Sequence, residues 1–271
     1  MSTPRIVTFT TDFGLVEHYV GVMKGVIHTI NPSVLTMDIT NGVQSFDVLD
    51  GALAITQAYS YFPKDTIHMV IVDPGVGGPR RPILATVGQH IFLAPDNGVL
   101  SLVYEREDRI TVRHITASHY FLQPVSPTFH GRDIFAVVAG YLSKGVEIHK
   151  FGEEITDYVR FAAPKPKATG PNAWKGIILK VDKFGNLMTN FTMKETPELF
   201  QPNAPPFKLT VGKAEVTKLR PSYVEGGQGE AFAIVGSSGF LEICVNRGSA
   251  SQTTGAQKGS EVSVVMAGPP A

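Results

Sequence analysis

The chain has 271 residues, of which 43% are apolar and 18% charged, with Lys+Arg and Asp+Glu balanced at 24 each. That length supplies about two domains of ordinary size, and no stretch has the composition of a disordered chain. The balanced charge, with no basic run, argues against a nucleic-acid binder, which must neutralise phosphates, and against a membrane-surface protein.

Met1–Arg5 has no apolar segment, so no signal peptide is expected. A core-like strand pattern begins at once with Arg5–Thr10, followed by a helix over Val16–Ile30 with Val20, Met23, Val26 and Ile27 on one face. Val34–Ile39 reads as a strand, Val48–Tyr61 as a helix stopped by Pro63, and Thr66–Val72 as a strand stopped by Pro74-Gly75. Pro82–Val87 and Ile91–Ala94 form a hairpin pattern around Gly88-Gln89-His90. Arg109–Ile115 follows as a strand and Asp133–Leu142 as a helix, with Asp133 a candidate cap. This order predicts an N-terminal α/β domain, residues 1–163, with a mostly parallel sheet. Prolines and glycines mark 164–173 as a linker. Beyond it the period switches to strand at Trp174–Asp182, Phe207–Val211, Ala231–Val235, Phe240–Val245 and Glu261–Met266, with a short turn of helix at Lys194–Leu199. Residues 174–271 are therefore expected to form an antiparallel β-barrel.

No run reaches the roughly 18 apolar residues of a bilayer span, and a cytoplasmic protein is expected. Cys244 is the only cysteine, which excludes an intrachain disulfide and a multi-cysteine zinc site; its apolar neighbours predict a packed core thiol. His114 and His119 are an odd number of residues apart on a strand and its end, so their side chains diverge and no metal site is expected. Gly75-Val76-Gly77-Gly78 is not a dinucleotide fingerprint, and Gly236-Ser237-Ser238-Gly239 lacks the spacing of a nucleophile elbow.

Ligands of an open α/β sheet gather at the carboxyl ends of its strands. Three polar clusters have that position: Thr11–Gly14, Asp73–Arg80, and Thr128–Asp133 before a helix. Each alone reads equally as turn or capping chemistry. Together they bring a carboxylate, an arginine and a histidine to one edge, the types needed to position a nucleophile and take its proton.

Seven segments in order resemble the S-adenosylmethionine hydrolases (adenosine-forming), relatives of the fluorinase and chlorinase enzymes: Thr11–Gly14, Tyr19–Gly25, Asp73–Gly77, Ala94–Gly98, Phe129–Asp133, Phe184–Asn186 and Asn246–Ala250. The resemblance implies an α/β domain joined to a β-barrel. It further implies a homotrimer whose ligand lies between the first domain of one subunit and the second domain of the next. The hydrolases' catalytic set falls on Asp73, Arg80 and His130. The halogenases carry a tyrosine at the place of Asp73 and a serine at that of Gly131, so a hydrolase is expected, with a halogenase or a non-catalytic nucleoside-binding module as alternatives. By the same comparison Asp12 grips the ribose hydroxyls, Asn186 and the stretch at Asn246-Arg247 read the adenine, and Asp182 holds the methionine ammonium. Ser237 and Ser238 fall at the methionine carboxylate, Phe46 and Phe184 at the walls, and Tyr19 and Phe129 join the substrate contacts. The implied substrate is S-adenosylmethionine, with adenosine and methionine as products, no cofactor and no metal. An aspartate held by an arginine is a poor proton acceptor. Asp73 and Arg80 are therefore expected as positioners of water, with His130 the candidate acceptor near neutral pH.

Overall fold

A computed structural model describes residues 5–201 and 205–267, so residues 1–4, part of the stretch where no leader is expected, lie outside it. The chain forms two compact units, Met1–Ala163 and Pro164–Ala271. Among the described residues no helix is long and apolar enough to cross a membrane.

The first unit contains strands β1 (Ile6–Thr11), β2 (Leu35–Thr40), β3 (Ile67–Ile71), β4 (Pro82–Val87), β5 (His90–Pro95), β6 (Ile110–His114) and β7 (Glu154–Ile155). Its helices are α1 (Tyr19–Ile30), α2 (Val48–Ala58), α3 (Ser101–Tyr104) and α4 (Val137–Ser143). The sheet order is β2-β1-β3-β5-β4-β6-β7. The expected mostly parallel sheet is in fact mixed. The β1–β2, β1–β3 and β3–β5 ladders are parallel, whereas β4–β5, β4–β6 and β6–β7 are antiparallel. Parallel neighbours need a long crossover, which α1 and α2 provide; the tight β4–β5 hairpin reverses the chain and turns the rest of the sheet antiparallel. Strands β3 and β5 are buried throughout, as expected of strands covered on both faces. On one face Val7, Phe9, Met23, Ile27 and Phe135 share a core; on the other, Ile55, Val70, Phe92 and Val103 share a second.

Helix α1 starts at Tyr19 and not at Val16. Gly14, at φ 70°, turns the chain and its N–H donates to the Asn41 carbonyl, which leaves Leu15 and Val16 almost fully exposed. The last helix of the unit also differs from expectation. It opens with a π-helical turn, Gly131–Ala136, and Asp133 lies inside that turn, so it is not the cap.

A polar chain runs through the second core: Thr8 Oγ1 to His68 Nδ1 at 2.7 Å, then His68 Nε2 to His90 Nδ1 at 3.3 Å. His68 is fully buried; burial, with His90 adding to it, pulls its pKa down to about 3. An unfolded chain takes up this proton near pH 6.5. The residue's contribution is therefore intact above about pH 6.5 and is lost as the pH falls towards 3. Urea denaturation at pH 6.5 and 5.0 is expected to show about 2 kcal/mol of acid-induced loss from this residue, and that part vanishes in His68→Gln.

The second unit contains β8 (Lys167–Gly170), β9 (Ala173–Val181), β10 (Leu187–Thr192), β11 (Phe207–Val211), β12 (Ala214–Val216), β13 (Leu219–Arg220), β14 (Ala231–Val235), β15 (Phe240–Val245) and β16 (Glu261–Met266), with the α-helix α5 (Ala250–Thr254) among the described residues. The order is β12-β11-β16-β9-β10-β15-β14-β13, with β8 on β9. Residues 164–173 thus include a paired strand. The ladders are antiparallel except β13–β14, and they enclose a core of Ile178, Phe191, Leu209, Ile243 and Val264. Cys244 is buried, as its neighbours predict, and burial with Glu242 and Asp182 pushes its thiol up to about 12.

Candidate active site

The parallel strands β1 and β3 deliver their loops to one edge of the first sheet. The loop after β1 is laced to the one after β2: the Thr11 hydroxyl donates to Asn41 Oδ1 at 2.9 Å, and the Phe46 N–H to Asp12 Oδ2 at 2.8 Å. Phe46 holds a left-handed φ of 65° and is largely exposed. Among the described residues nothing donates to Asp12 Oδ1, so this carboxylate has an acceptor to offer a ligand.

After β3, Arg80 turns back onto Asp73 in a bidentate pair, Nε to Oδ1 at 3.0 Å and Nη2 to Oδ2 at 2.5 Å. Both side chains are over nine-tenths buried, and the guanidinium lies 5.9 Å from the Phe135 ring centroid. Arg80 Nη2 also reaches His130 Nδ1 at 2.8 Å. A guanidinium can only donate, so Nδ1 accepts and the neutral imidazole carries its proton on Nε2. Burial and then Arg80 lower the His130 pKa, against smaller opposite effects of Asp73 and Asp133. The three residues expected as the catalytic set are therefore in direct contact, with His130 held neutral.

One glycine-dependent contact and one buried carboxylate fix these loops. Gly77 has φ 76°, and a Cβ there would lie 2.2 Å from the Pro127 carbonyl oxygen. The 73–80 loop thus rests directly on the 124–128 loop. That second loop is tied down by Asp133, which accepts the Ser126 N–H at 2.8 Å and a bidentate Arg132 at 2.6 and 2.9 Å.

A cleft of about 510 Å³ opens above, lined by Asp12, Phe46, Asp73, Phe129 and Arg132 among others. Phe13, Tyr19 and Phe129 form an aromatic wall, with centroids 5.3–6.2 Å apart. Of the Asp73–Arg80–His130 set only Asp73 lines the cleft; the other two stand behind it. Arg132 escaped the sequence reading because an arginine beside an aspartate is an ordinary surface pattern. The Ala94–Gly98 motif does not line the cleft. Asp96 accepts Arg81 at 2.7 and 2.9 Å and the Val159 N–H at 2.8 Å, while Asn97 donates to the Val72 carbonyl at 2.8 Å, so the motif anchors the last segment of the unit.

In the second unit Phe184-Gly185-Asn186 and Asn246–Ala250 meet. Gly185, at φ 84°, packs where a Cβ would be 2.1 Å from Ser249 Oγ, and its carbonyl accepts the Ser251 N–H. Asp182 accepts the N–H groups of Phe184 and Asn186 at 2.8 and 2.9 Å and the Asn186 amide at 2.9 Å, so it orders its own loop. Phe184 is 75% exposed and Asn186 buried. Asn246 donates to the Gly226 carbonyl at 3.0 Å, and Arg247 holds a φ of 53°. Ser237 is exposed and Ser238 half-buried in the β14–β15 turn. Glu242, beside them, bonds Tyr223; burial, then the nearby Asp182, raises its pKa. A carboxylate inside the apolar run Phe240–Val245 was its signal in the sequence. Among the described residues no group of three His, Cys, Asp or Glu could hold a metal ion.

Comparison with known proteins finds similarity over nearly the whole chain. Residues 7–152 match the SAM hydroxide adenosyltransferase N-terminal domain and residues 176–263 its C-terminal domain. A protein from Salinispora tropica named (R)-S-adenosyl-L-methionine hydrolase is 33% identical, covering 97% of this chain and 98% of its own. One of the same name from Thermus thermophilus is 30% identical, covering 95% and 98%. A fluorinase from an Actinoplanes species is 25% identical, covering 89% and 91%. The crystal structure of an uncharacterized conserved protein from Thermotoga maritima superposes with a TM-score of 0.88 at 36% identity, covering 96% of this chain and 99% of that one. With both domain models matched in order along the chain, the protein belongs to the SAM hydroxide adenosyltransferase family.

Proposed function

We propose that the protein hydrolyses S-adenosylmethionine to adenosine and methionine. Water or hydroxide attacks ribose C5′; the new C–O bond forms as the C5′–S bond breaks, its electron pair stays on sulfur, and a proton leaves to solvent. The sulfonium is already a good leaving group, so the protein's task is to hold the oxygen in line and limit competing water, which is catalysis by proximity and orientation. No cofactor enters this reading.

The observation that carries it is the buried Asp73–Arg80 pair, with the half-buried His130 on Arg80, presenting one carboxylate, Asp73, to an aromatic cleft. Asp73 orients the nucleophile. Arg80 and His130 act through Asp73, because His130 spends Nδ1 on Arg80. In this role His130 is a positioning residue and not the first proton acceptor. Asp12, through Oδ1, takes the ribose hydroxyls. Tyr19, Phe46 and Phe129 wall the substrate. The second unit, curled as a barrel, contributes Asp182, Phe184, Asn186, Ser237, Ser238, Asn246 and Arg247 to the rest of the ligand from a neighbouring subunit of a cytoplasmic homotrimer. Sedimentation of the purified protein as a trimer supports that assembly, and a monomer under assay conditions contradicts it.

The halogenase alternative is disfavoured by two positions. Asp73 stands where the resemblance puts the halogenases' tyrosine. At Gly131, where it puts their serine, a Cβ would lie 2.9 Å from Met23 Sδ and 3.3 Å from the Phe129 ring. Incubation with each sulfonium epimer, followed by chromatography, tests the activity. Adenosine and methionine are expected in equal amounts, faster from the (R) epimer for which the relatives are named. No adenosine above the blank from either epimer overturns the proposal.

A further inference from the structure

The loop that carries Phe46 is held from outside the cleft. Asp12, Ser45 and Phe46 line that cleft, whereas Asp50, in the first turn of α2, does not. Asp50 is 4% exposed, and its Oδ2 accepts the Gln44 N–H at 2.9 Å. Helix α2 has a cap without this bond, because Asp47 Oδ1 accepts the Asp50 N–H at 3.0 Å. In a capping box the third helical residue reaches back to the cap residue's own N–H. Here the Asp47 N–H goes to the Gln44 carbonyl at 3.0 Å, and Asp50 reaches three residues further back, to the Gln44 N–H. Gln44 is thus pinned through both of its backbone groups by the start of α2.

Between Gln44 and the helix, Phe46 holds a φ of 65°, a region that residues with a Cβ rarely adopt. Its ring is 73% exposed, so packing of the ring does not impose this conformation. Hydrogen bonds on either side do: Gln44 is pinned to α2, and the Phe46 N–H donates to Asp12 Oδ2 at 2.8 Å. Helix α2 is itself fixed by the buried Ala52, Leu53 and Ile55. A relaxation of Phe46 to negative φ therefore rotates the 45–46 peptide against the helix and carries the N–H away from Asp12. Resting on the reading of Asp12 as the ribose carboxylate, we propose that Asp50 is a positioning residue for ribose recognition. By pinning Gln44 it keeps the 45–46 peptide turned toward Asp12, so that Oδ2 is occupied by the Phe46 N–H and Oδ1 is presented to the ribose hydroxyls. A carboxylate fixed in advance through one oxygen loses less freedom when the other binds a ligand. The attack on C5′ stays with Asp73, so the effect of Asp50 falls on binding.

The test is the affinity for adenosine and for 2′,3′-dideoxyadenosine, by calorimetry on the full chain, with circular dichroism as the control for folding. The wild type is expected to bind adenosine about tenfold or more tightly than the dideoxy nucleoside, since hydrogen bonds to a charged acceptor are the stronger kind. Asp50→Ala removes the acceptor for Gln44. It is expected to weaken adenosine about tenfold and to leave the dideoxy nucleoside within about threefold, as Asp12→Ala does. The double variant is expected to discriminate no worse than Asp12→Ala alone, because the two residues act through one contact. Asp50→Asn keeps the shape with a weaker, neutral acceptor and is expected to lose about threefold in discrimination; it decides the matter if Asp50→Ala does not fold. On S-adenosylmethionine, Asp50→Ala should raise KM about tenfold with kcat within about threefold. Losses of the same size on both nucleosides mark Asp50 as a helix-start residue and overturn the assignment. So does wild-type discrimination in either folded Asp50 variant. Equal binding of the two nucleosides by the wild type overturns the ribose role of Asp12 and this assignment with it. Discrimination that shifts as expected in a protein releasing no adenosine from S-adenosylmethionine overturns the hydrolase reading alone.

Discussion

Asp73→Asn is expected to slow adenosine formation by about 10²- to 10⁴-fold, the range for loss of a group that orients or deprotonates a nucleophile. The amide keeps the shape of the side chain but replaces an acceptor oxygen with a donor. Arg80 presents donors to both positions, at 3.0 and 2.5 Å, so one hydrogen bond becomes a clash of N–H groups. Arg80 is then left buried with a broken pair, which costs about 3–5 kcal/mol in a fully buried setting and less here because the cleft admits water to Asp73. The loss should fall on kcat, with KM for S-adenosylmethionine nearly unchanged, because the interaction matters only when the attacking oxygen is held in line. Steady-state kinetics with equilibrium unfolding as the control would decide it. A folded Asp73→Asn with kcat within about threefold of wild type removes Asp73 from the mechanism.

Gly77→Ala is expected to have the second largest effect, although Gly77 bears no chemistry. An alanine at φ 76° costs about 1–2 kcal/mol in backbone strain alone. Its methyl group would also lie 2.2 Å from the Pro127 carbonyl oxygen, so the 73–80 and 124–128 loops must separate. That moves Asp73 relative to Phe129 and His130, and a displacement near 1 Å is enough to cost about 10²-fold in rate. Gly75→Ala in the same loop is the control, since its Cβ would meet Arg80 Cγ at an ordinary 3.5 Å. Kinetics of the two variants side by side should show a large loss at 77 and a small one at 75. Equal effects would mean that the loop contact does not position the site.

Much of this was legible in the residues. Alternation and β-branched runs located β1 to β6, β9, β11 and β14 to β16, and the Gly88-Gln89-His90 turn located the β4–β5 hairpin, because these signals are local; the short β7, β8, β12 and β13 and the polar β10 were not read. The pairing of β5 with β3 was not legible: it depends on which neighbour the hairpin meets after the chain reverses, and it makes the sheet mixed. The start of α1 was misjudged because Leu15 and Val16 fit a helical face, yet the hydrogen bond from Gly14 to the Asn41 carbonyl holds that segment on the loop. The contact among Asp73, Arg80 and His130 was suggested by residue types at strand ends. Its internal order, with Arg80 between the other two, is a matter of side-chain direction that spacing does not encode. Arg132 was overlooked for the same reason, since its place on the cleft depends on side-chain direction.

The central claim is that an oxygen from water replaces sulfur at C5′. Turnover of S-adenosylmethionine in ¹⁸O-enriched water, followed by mass spectrometry of the nucleoside, tests it most directly. The account predicts adenosine carrying one heavy oxygen at the 5′ position in proportion to the enrichment; adenosine that forms without the label would contradict it.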